Sequence, residues 1–124
     1  MRIDKTVLGV VLGLGLLTAS VIQAADAVKV EGGILTNASG MSLYTFDKDS
    51  GGKSACTGSC ATNWPPMMAG PSDKASGDYS IISRDDGSKQ WAYKGKPLYL
   101  WSKDQKPGDT TGDGRNNIWH LAKP

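Results

Sequence analysis

The strongest constraint on the fold is a self-match at an offset of 55 residues. At that offset Gly40 falls on Gly95, Leu43 on Leu98, Tyr44 on Tyr99, Lys48 on Lys103, Asp49 on Asp104 and Trp64 on Trp119, while Phe46 falls on Trp101. Six identities in 25 positions exceed the ~1 or 2 that ordinary residue frequencies supply. Two copies are too few for a solenoid. The expectation is one domain in which two similar β units pack about a pseudo-twofold axis and bury each other's apolar faces.

Composition favours the same solution. With 124 residues, 16 Gly, 6 Pro and a single Phe, the chain has the turn content of a β protein, and 4 Trp with 4 Tyr supply the bulk of a small core. The expected fold class is all-β: a small single domain of two pseudo-repeated β-hairpin units with long Gly-rich loops, preceded by a signal-peptide helix. Repeat 1 is expected over about residues 28–66, a Pro, Gly and Ser-rich surface linker over 67–78, and repeat 2 over about 79–124. In repeat 1 the spacing predicts strands at 28–30, 34–36 and 41–46, with a turn at 37–40. In repeat 2 it predicts strands at 79–83, 89–93 and 98–101, joined by an Asp86 and Gly87 turn and by a turn over 94–97. Period 2 puts Tyr44 and Phe46 opposite Leu43 and Thr45, and Tyr99 and Trp101 opposite Leu98 and Leu100, as in a strand covered on both faces. Two long segments, 47–63 and 102–118, then return to the core at Trp64 and Trp119.

The amino-terminal segment has the pattern of export. Arg2 and Lys5 precede a 17-residue uncharged run from Thr6 to Ile22, followed by Gln23, Ala24 and Ala25. Residues 1–24 read as a signal peptide cut after Ala24 or Ala25. The run is shorter than the ~20 residues of a comfortable membrane span, so no stable span is expected after cleavage. The secreted domain then occupies 25–124, and its location is periplasmic or secreted. Once Arg2, Lys5 and Asp4 leave with the signal, twelve basic and eleven acidic residues remain. Their signs are interspersed, which argues against a nucleic-acid partner.

The residues just described resemble a bacterial secreted or lipoprotein repeat family defined by a Tyr-x-(Phe/Trp/Tyr)-x-x-Asp motif. Tyr44, Phe46 and Asp49 fit it once, and Tyr99, Trp101 and Asp104 fit it again. The stretch through Cys56, Gly58, Cys60, Trp64, Pro65 and Pro66 is also similar to the family pattern. The resemblance implies an exported, envelope-associated β domain, and it brings no established activity. Members are often lipid-anchored through a Cys at the end of the signal. Ala24 and Ala25 stand there in this chain, so no lipid anchor is expected.

Few residues remain for chemistry. The motif aromatics read as core, with each Asp capping the turn at the strand end; as a ligand platform their rings would have to face solvent. Cys56 and Cys60 are the only cysteines and, in an exported chain, read as a disulfide. Closing so short a loop contributes only about 2 kcal/mol, so the bond shapes a loop rather than stapling the domain. The competing reading is a copper or thiol-redox site built from Cys56, Cys60, Met67, Met68 and His120, a soft set suited to Cu(I). An oxygen-rich loop, with Asp104, Asp109, Asp113, Asn116 and Asn117 around Gly112 and Gly114, lacks the EF-hand spacing and reads as a solvated turn. One histidine, no nucleophile elbow and no phosphate-cradling loop argue against an enzyme. The functional expectation is an exported non-catalytic binding or interaction module with an unknown envelope ligand or protein as partner and no cofactor, copper entering only on the alternative reading.

Overall fold

The computed structural model describes residues 27–124, so the signal-peptide reading of 1–24 lies outside the described residues. Strand β1 (Val28–Glu31) turns back on β2 (Ile34–Asn37) through Gly32 and Gly33, both at positive φ, the turn that matches strand twist. Next come β3 (Tyr44–Phe46) and the short helix α1 (Ser59–Asn63). A three-stranded antiparallel meander follows, made of β4 (Tyr79–Ser83), β5 (Lys89–Tyr93) and β6 (Lys96–Pro97). After a 3-10 turn at Arg115–Asn117, β7 (Trp119–Leu121) pairs antiparallel with β3, Tyr44 opposite Leu121 and Phe46 opposite Trp119. The fold is all-β, built from small antiparallel sheets.

Hydrogen bonding makes the pseudo-twofold explicit. Tyr44 and Tyr99 exchange both backbone bonds, N–H to carbonyl at 2.8 and 2.9 Å, so the axis passes between the two motif tyrosines. Asp47 N–H donates to the Ile118 carbonyl at 2.8 Å, and its counterpart Ser102 donates to Asn63 at 3.0 Å. A closed circuit from Leu35 to Ala122, Ala122 to Leu43 and Leu43 to Leu35 recurs as Trp91 to Met67, Met67 to Leu98 and Leu98 to Trp91, all at 2.8–2.9 Å. Each copy's closing segment therefore pairs with the other copy's aromatic strand, which makes the halves interdependent.

Four local expectations change. The strand expected at 41–46 is regular only over Tyr44–Phe46, with Ser42 joined to Thr36 by a single bridge. The strand expected at 98–101 is reduced to single bridges, Tyr99 to Tyr44 and Tyr99 to Pro66. The reason is chemical: its partner segment carries Pro65 and Pro66, which have no N–H to continue a ladder, whereas His120 and Leu121 opposite β3 do. The turn expected over 94–97 is only Lys94 and Gly95, and Lys96 and Pro97 belong to β6. Finally, the stretch read as a surface linker begins as paired backbone, with Met67 and Ala69 bonded to Leu98, Trp91 and Lys89.

The two faces of the aromatic strands serve two cores, as period 2 predicted. Leu43 and Leu98 join Ala27, Val28, Leu35, Trp91 and Ala122 in one cluster. Tyr44 and Tyr99 join Cys56, Trp64, Trp101 and Trp119 in the other. The second cluster is a column of rings. Phe46 stacks on Trp119 (4.1 Å, 12°), Trp119 on Trp64 (3.8 Å, 3°), and Trp64 on Trp101 (4.1 Å, 29°). The pseudo-twofold exchanges Phe46 with Trp101 and Trp64 with Trp119, so the column is its own image. Tyr44 and Tyr99 meet it edge-on at 5.3 and 5.2 Å. Gly112 lies flat against it: a Cβ there would stand 2.8 Å from Trp64 Cη2 and 2.9 Å from Trp101 Cγ.

Trp64→Ala and Trp119→Ala should each destabilise the domain by ~3–5 kcal/mol in urea titrations. Gly112→Ala should destabilise it by ~1–3 kcal/mol through overpacking. Wild-type midpoints in all three would contradict the column.

Candidate functional site

The motif residues are turned inward. Tyr44 donates its hydroxyl proton to Asp104 Oδ2 at 2.7 Å, and Tyr99 donates to Asp49 Oδ2 at 2.6 Å. Each motif thus pairs its tyrosine with the aspartate of the other copy. The remaining carboxylate oxygens hold the long loops: Asp49 Oδ1 accepts the Ala55 N–H at 2.6 Å, and Asp104 Oδ1 accepts the N–H and hydroxyl of Thr111 at 3.0 and 2.6 Å. The turns expected at both aspartates are present, since Asp49 and Asp104 N–H groups bond back to Phe46 and Trp101. The reach across the axis was not legible from spacing. Burial, then donation to the carboxylates, raises both phenols well above their ordinary value. Burial pushes the Asp49 carboxyl up as well, against the pull of the Ala55 N–H and the Tyr99 hydroxyl.

Cys56 and Cys60 form a disulfide with Cα atoms 5.2 Å apart, around Gly58 at φ +59° and the start of α1. Cys56 is fully buried against the aromatic column. Arg84, a buried residue that sequence reasoning missed, anchors this loop. Its guanidinium donates to the Cys56 carbonyl (2.7 Å), Ser54 Oγ (2.9 Å) and Gln90 Oε1 (2.8 Å), and Ser54 Oγ lies 2.6 Å from the Tyr99 hydroxyl. In the oxygen-rich loop, the aspartates face the chain's own donors. Asp109 Oδ2 accepts the N–H groups of Gln105 and Lys106, and Asp113 Oδ1 accepts that of Leu121.

The copper set is not brought together. Both sulfurs of the cysteine pair are in the disulfide, Met67 packs on the aliphatic core, Met68 is exposed beside Asp73, and His120 lies against Asp47. No group of three or more His, Cys, Asp or Glu among the described residues is placed to hold a metal ion.

A groove of about 310 Å³ lies beside β7. Its wall carries Lys94, Lys96 and Lys123, all exposed, with Tyr93 half-buried and His120 Nε2 held 2.8 Å from Asp47 Oδ2. Lys94 sits at φ +50° in the two-residue turn before Gly95, a place that Asn normally fills and where a lysine costs about 1 kcal/mol. Sequence reasoning missed these lysines. The one available signal was the Lys-Gly pair standing where a hairpin turn favours Asn-Gly.

A family model described as "secreted repeat of unknown function" matches residues 27–68 and 80–123. The chain belongs to that family. No curated protein and no solved structure matches it. This secreted repeat is accordingly an exported protein, periplasmic or secreted, of a family without an assigned role. No helix among its described residues is long and apolar enough to cross a membrane.

Because the folded state holds the Tyr44 and Tyr99 protons more tightly than the unfolded chain, their contribution is complete below the ordinary phenol value of 10.0 and is lost as pH rises through the higher native values. The urea midpoint should fall steeply above about pH 10 in the wild type. The double variant Tyr44→Phe, Tyr99→Phe should show a flatter alkaline limb. Each single substitution should lower neutral stability by ~1.5–3 kcal/mol, the range for a hydrogen bond to a charged group.

Proposed function

We propose that this secreted repeat is a non-catalytic binding module of the bacterial envelope whose doubled core is a rigid scaffold and whose ligand site is the Lys94, Lys96 and Lys123 groove. The observation that carries the reading is an inequality between two equivalent places. The repeated bonding circuit makes Ala122 the counterpart of Met67 and Tyr93 the counterpart of Asn37. Lys123 then corresponds to Met68, and the two-residue turn at Lys94 and Gly95 takes the place of the three-residue loop 38–40; Met68, Ala38 and Ser39 line a depression of their own. One scaffold position therefore exists twice, once with lysines and once with Met68 beside Asn37, Ser39 and Asp73.

Core packing gives no reason for the lysines, because Lys94, Lys96 and Lys123 are exposed and belong to neither core. The motif rings, by contrast, are engaged with one another, whereas the groove is a surface depression on which charged side chains converge. A copper or thiol-redox role has no comparable observation in its favour.

The test is co-sedimentation with envelope fragments from the producing bacterium. The wild-type protein and a Lys29→Ala, Lys53→Ala, Lys103→Ala control should sediment alike. The Lys94→Ala, Lys96→Ala, Lys123→Ala variant should bind ~10-fold more weakly, the sum of three modest ionic contacts. Equal binding by both triple variants would sink the groove reading.

A further inference from the structure

The geometry points to an acidic glycan, a sugar chain bearing carboxylate or phosphate groups, as the ligand of the groove, an inference that rests on the proposed binding role. Three features converge. Lys94, Lys96 and Lys123 line the groove with three ammonium groups, point charges that suit anions spaced along a flexible chain. Tyr93 adds a half-buried ring to the same wall, packed on the aliphatic core beside Tyr79 (5.0 Å between ring centroids), and the exposed Lys94 ammonium lies over that ring 5.3 Å from its centre. An aromatic face beside cations is of no use to a small inorganic anion, but it fits the C–H face of a sugar ring. The third feature is the His120 and Asp47 pair, which offers a donor and an acceptor side by side at the groove surface, the combination that sugar hydroxyls require.

Openness argues for a chain rather than a single sugar. Lys94, Lys96, His120, Lys123 and Asp47 are all exposed, so no residue encloses a small ligand. A polymer instead gains affinity by touching several weak points at once. The left-handed Lys94 fits this picture, since Asn at that turn would relieve the backbone and remove one of those points.

Calorimetry with four probes tests the proposal: oligogalacturonate, a phosphomannan oligosaccharide, neutral dextran and inorganic polyphosphate. One or both acidic glycans should bind, at low salt and more weakly as salt rises, and dextran should not. Whichever of the two binds identifies the anion as carboxylate or phosphate. The triple lysine variant should lose ~10-fold in affinity. Tyr93→Leu should lose ~5-fold toward the glycan while leaving polyphosphate unchanged, and Tyr93→Phe should restore glycan binding. Unchanged melting temperatures identify the variants that retain the fold.

Polyphosphate binding as tight as the glycans with no effect of Tyr93→Leu would overturn the sugar assignment, and dextran binding as tight as oligogalacturonate would overturn the charge assignment. Absence of binding by both acidic glycans would overturn the inference. If envelope sedimentation still depended on the groove lysines in that last case, only the ligand class would fall. If sedimentation were indifferent to them, the groove reading would fall with it.

Discussion

Two hydrogen bonds organise this molecule: Tyr44 to Asp104 and Tyr99 to Asp49, each crossing the pseudo-twofold axis. They are charge-assisted and lie in or beside a water-poor aromatic core, where such bonds are strong when made and expensive when one partner is missing. Each aspartate sits at the root of a long loop and uses its second oxygen on that loop's backbone. A single carboxylate therefore fixes three things at once: the rotamer of a tyrosine from the other copy, the turn at its own strand end, and the entry of its loop. The ring column depends on this arrangement, because Tyr44 and Tyr99 hold the edges of Trp64 and Trp119.

Interdependence follows from the exchange of closing segments. One side of each aromatic strand pairs within its own copy, but the closing segment on the other side comes from the other copy, since β3 takes β7 from repeat 2 and Tyr99 takes Pro66 from repeat 1. Half of the chain would expose an unpaired edge and an open ring stack, and two-stranded units of this size are marginal in water. The exchange of closing segments ties the stability of each copy to the presence of the other. Within this arrangement the disulfide has a local task. Cys56 follows Ala55, the residue that caps Asp49, as Gly112 follows Thr111, the residue that caps Asp104. Repeat 2 reaches close packing on the rings with a missing side chain. Repeat 1 reaches it with a buried sulfur whose loop is held by the bond to Cys60 and by Arg84.

The all-β class, the twofold arrangement and the two-faced strands were legible because they follow from residue periodicity and from self-similarity. The 55-residue offset identified Trp64 and Trp119 as partners, and alternation separated Leu43 and Leu98 from Tyr44 and Tyr99. What stayed hidden was the pairing across copies. Spacing within one motif cannot say whether Asp49 meets the tyrosine five residues before it or the one fifty residues after it. The interruption at 98–101 was in principle readable, since Pro65 and Pro66 remove donors, but only once their partner strand is known. Arg84 was illegible for a similar reason: a buried guanidinium satisfied by Ser54, Gln90 and a carbonyl leaves no local signature.

A duplicated core also separates structure from function by symmetry. Positions on the axis are tied to their images, because a change in one ring of the column displaces the ring from the other copy stacked against it. Positions on the rim carry no such tie. Where the scaffold repeats faithfully, as in the Leu35 and Trp91 circuits, the residues answer to packing. Where the backbone repeats and the side chains do not, as at Lys123 and Met68, the second copy shows that the scaffold is built without the ammonium group. Repeat 1 is in that sense an internal control for repeat 2. It folds with Met68 in that place, so packing does not call for the Lys123 ammonium group there.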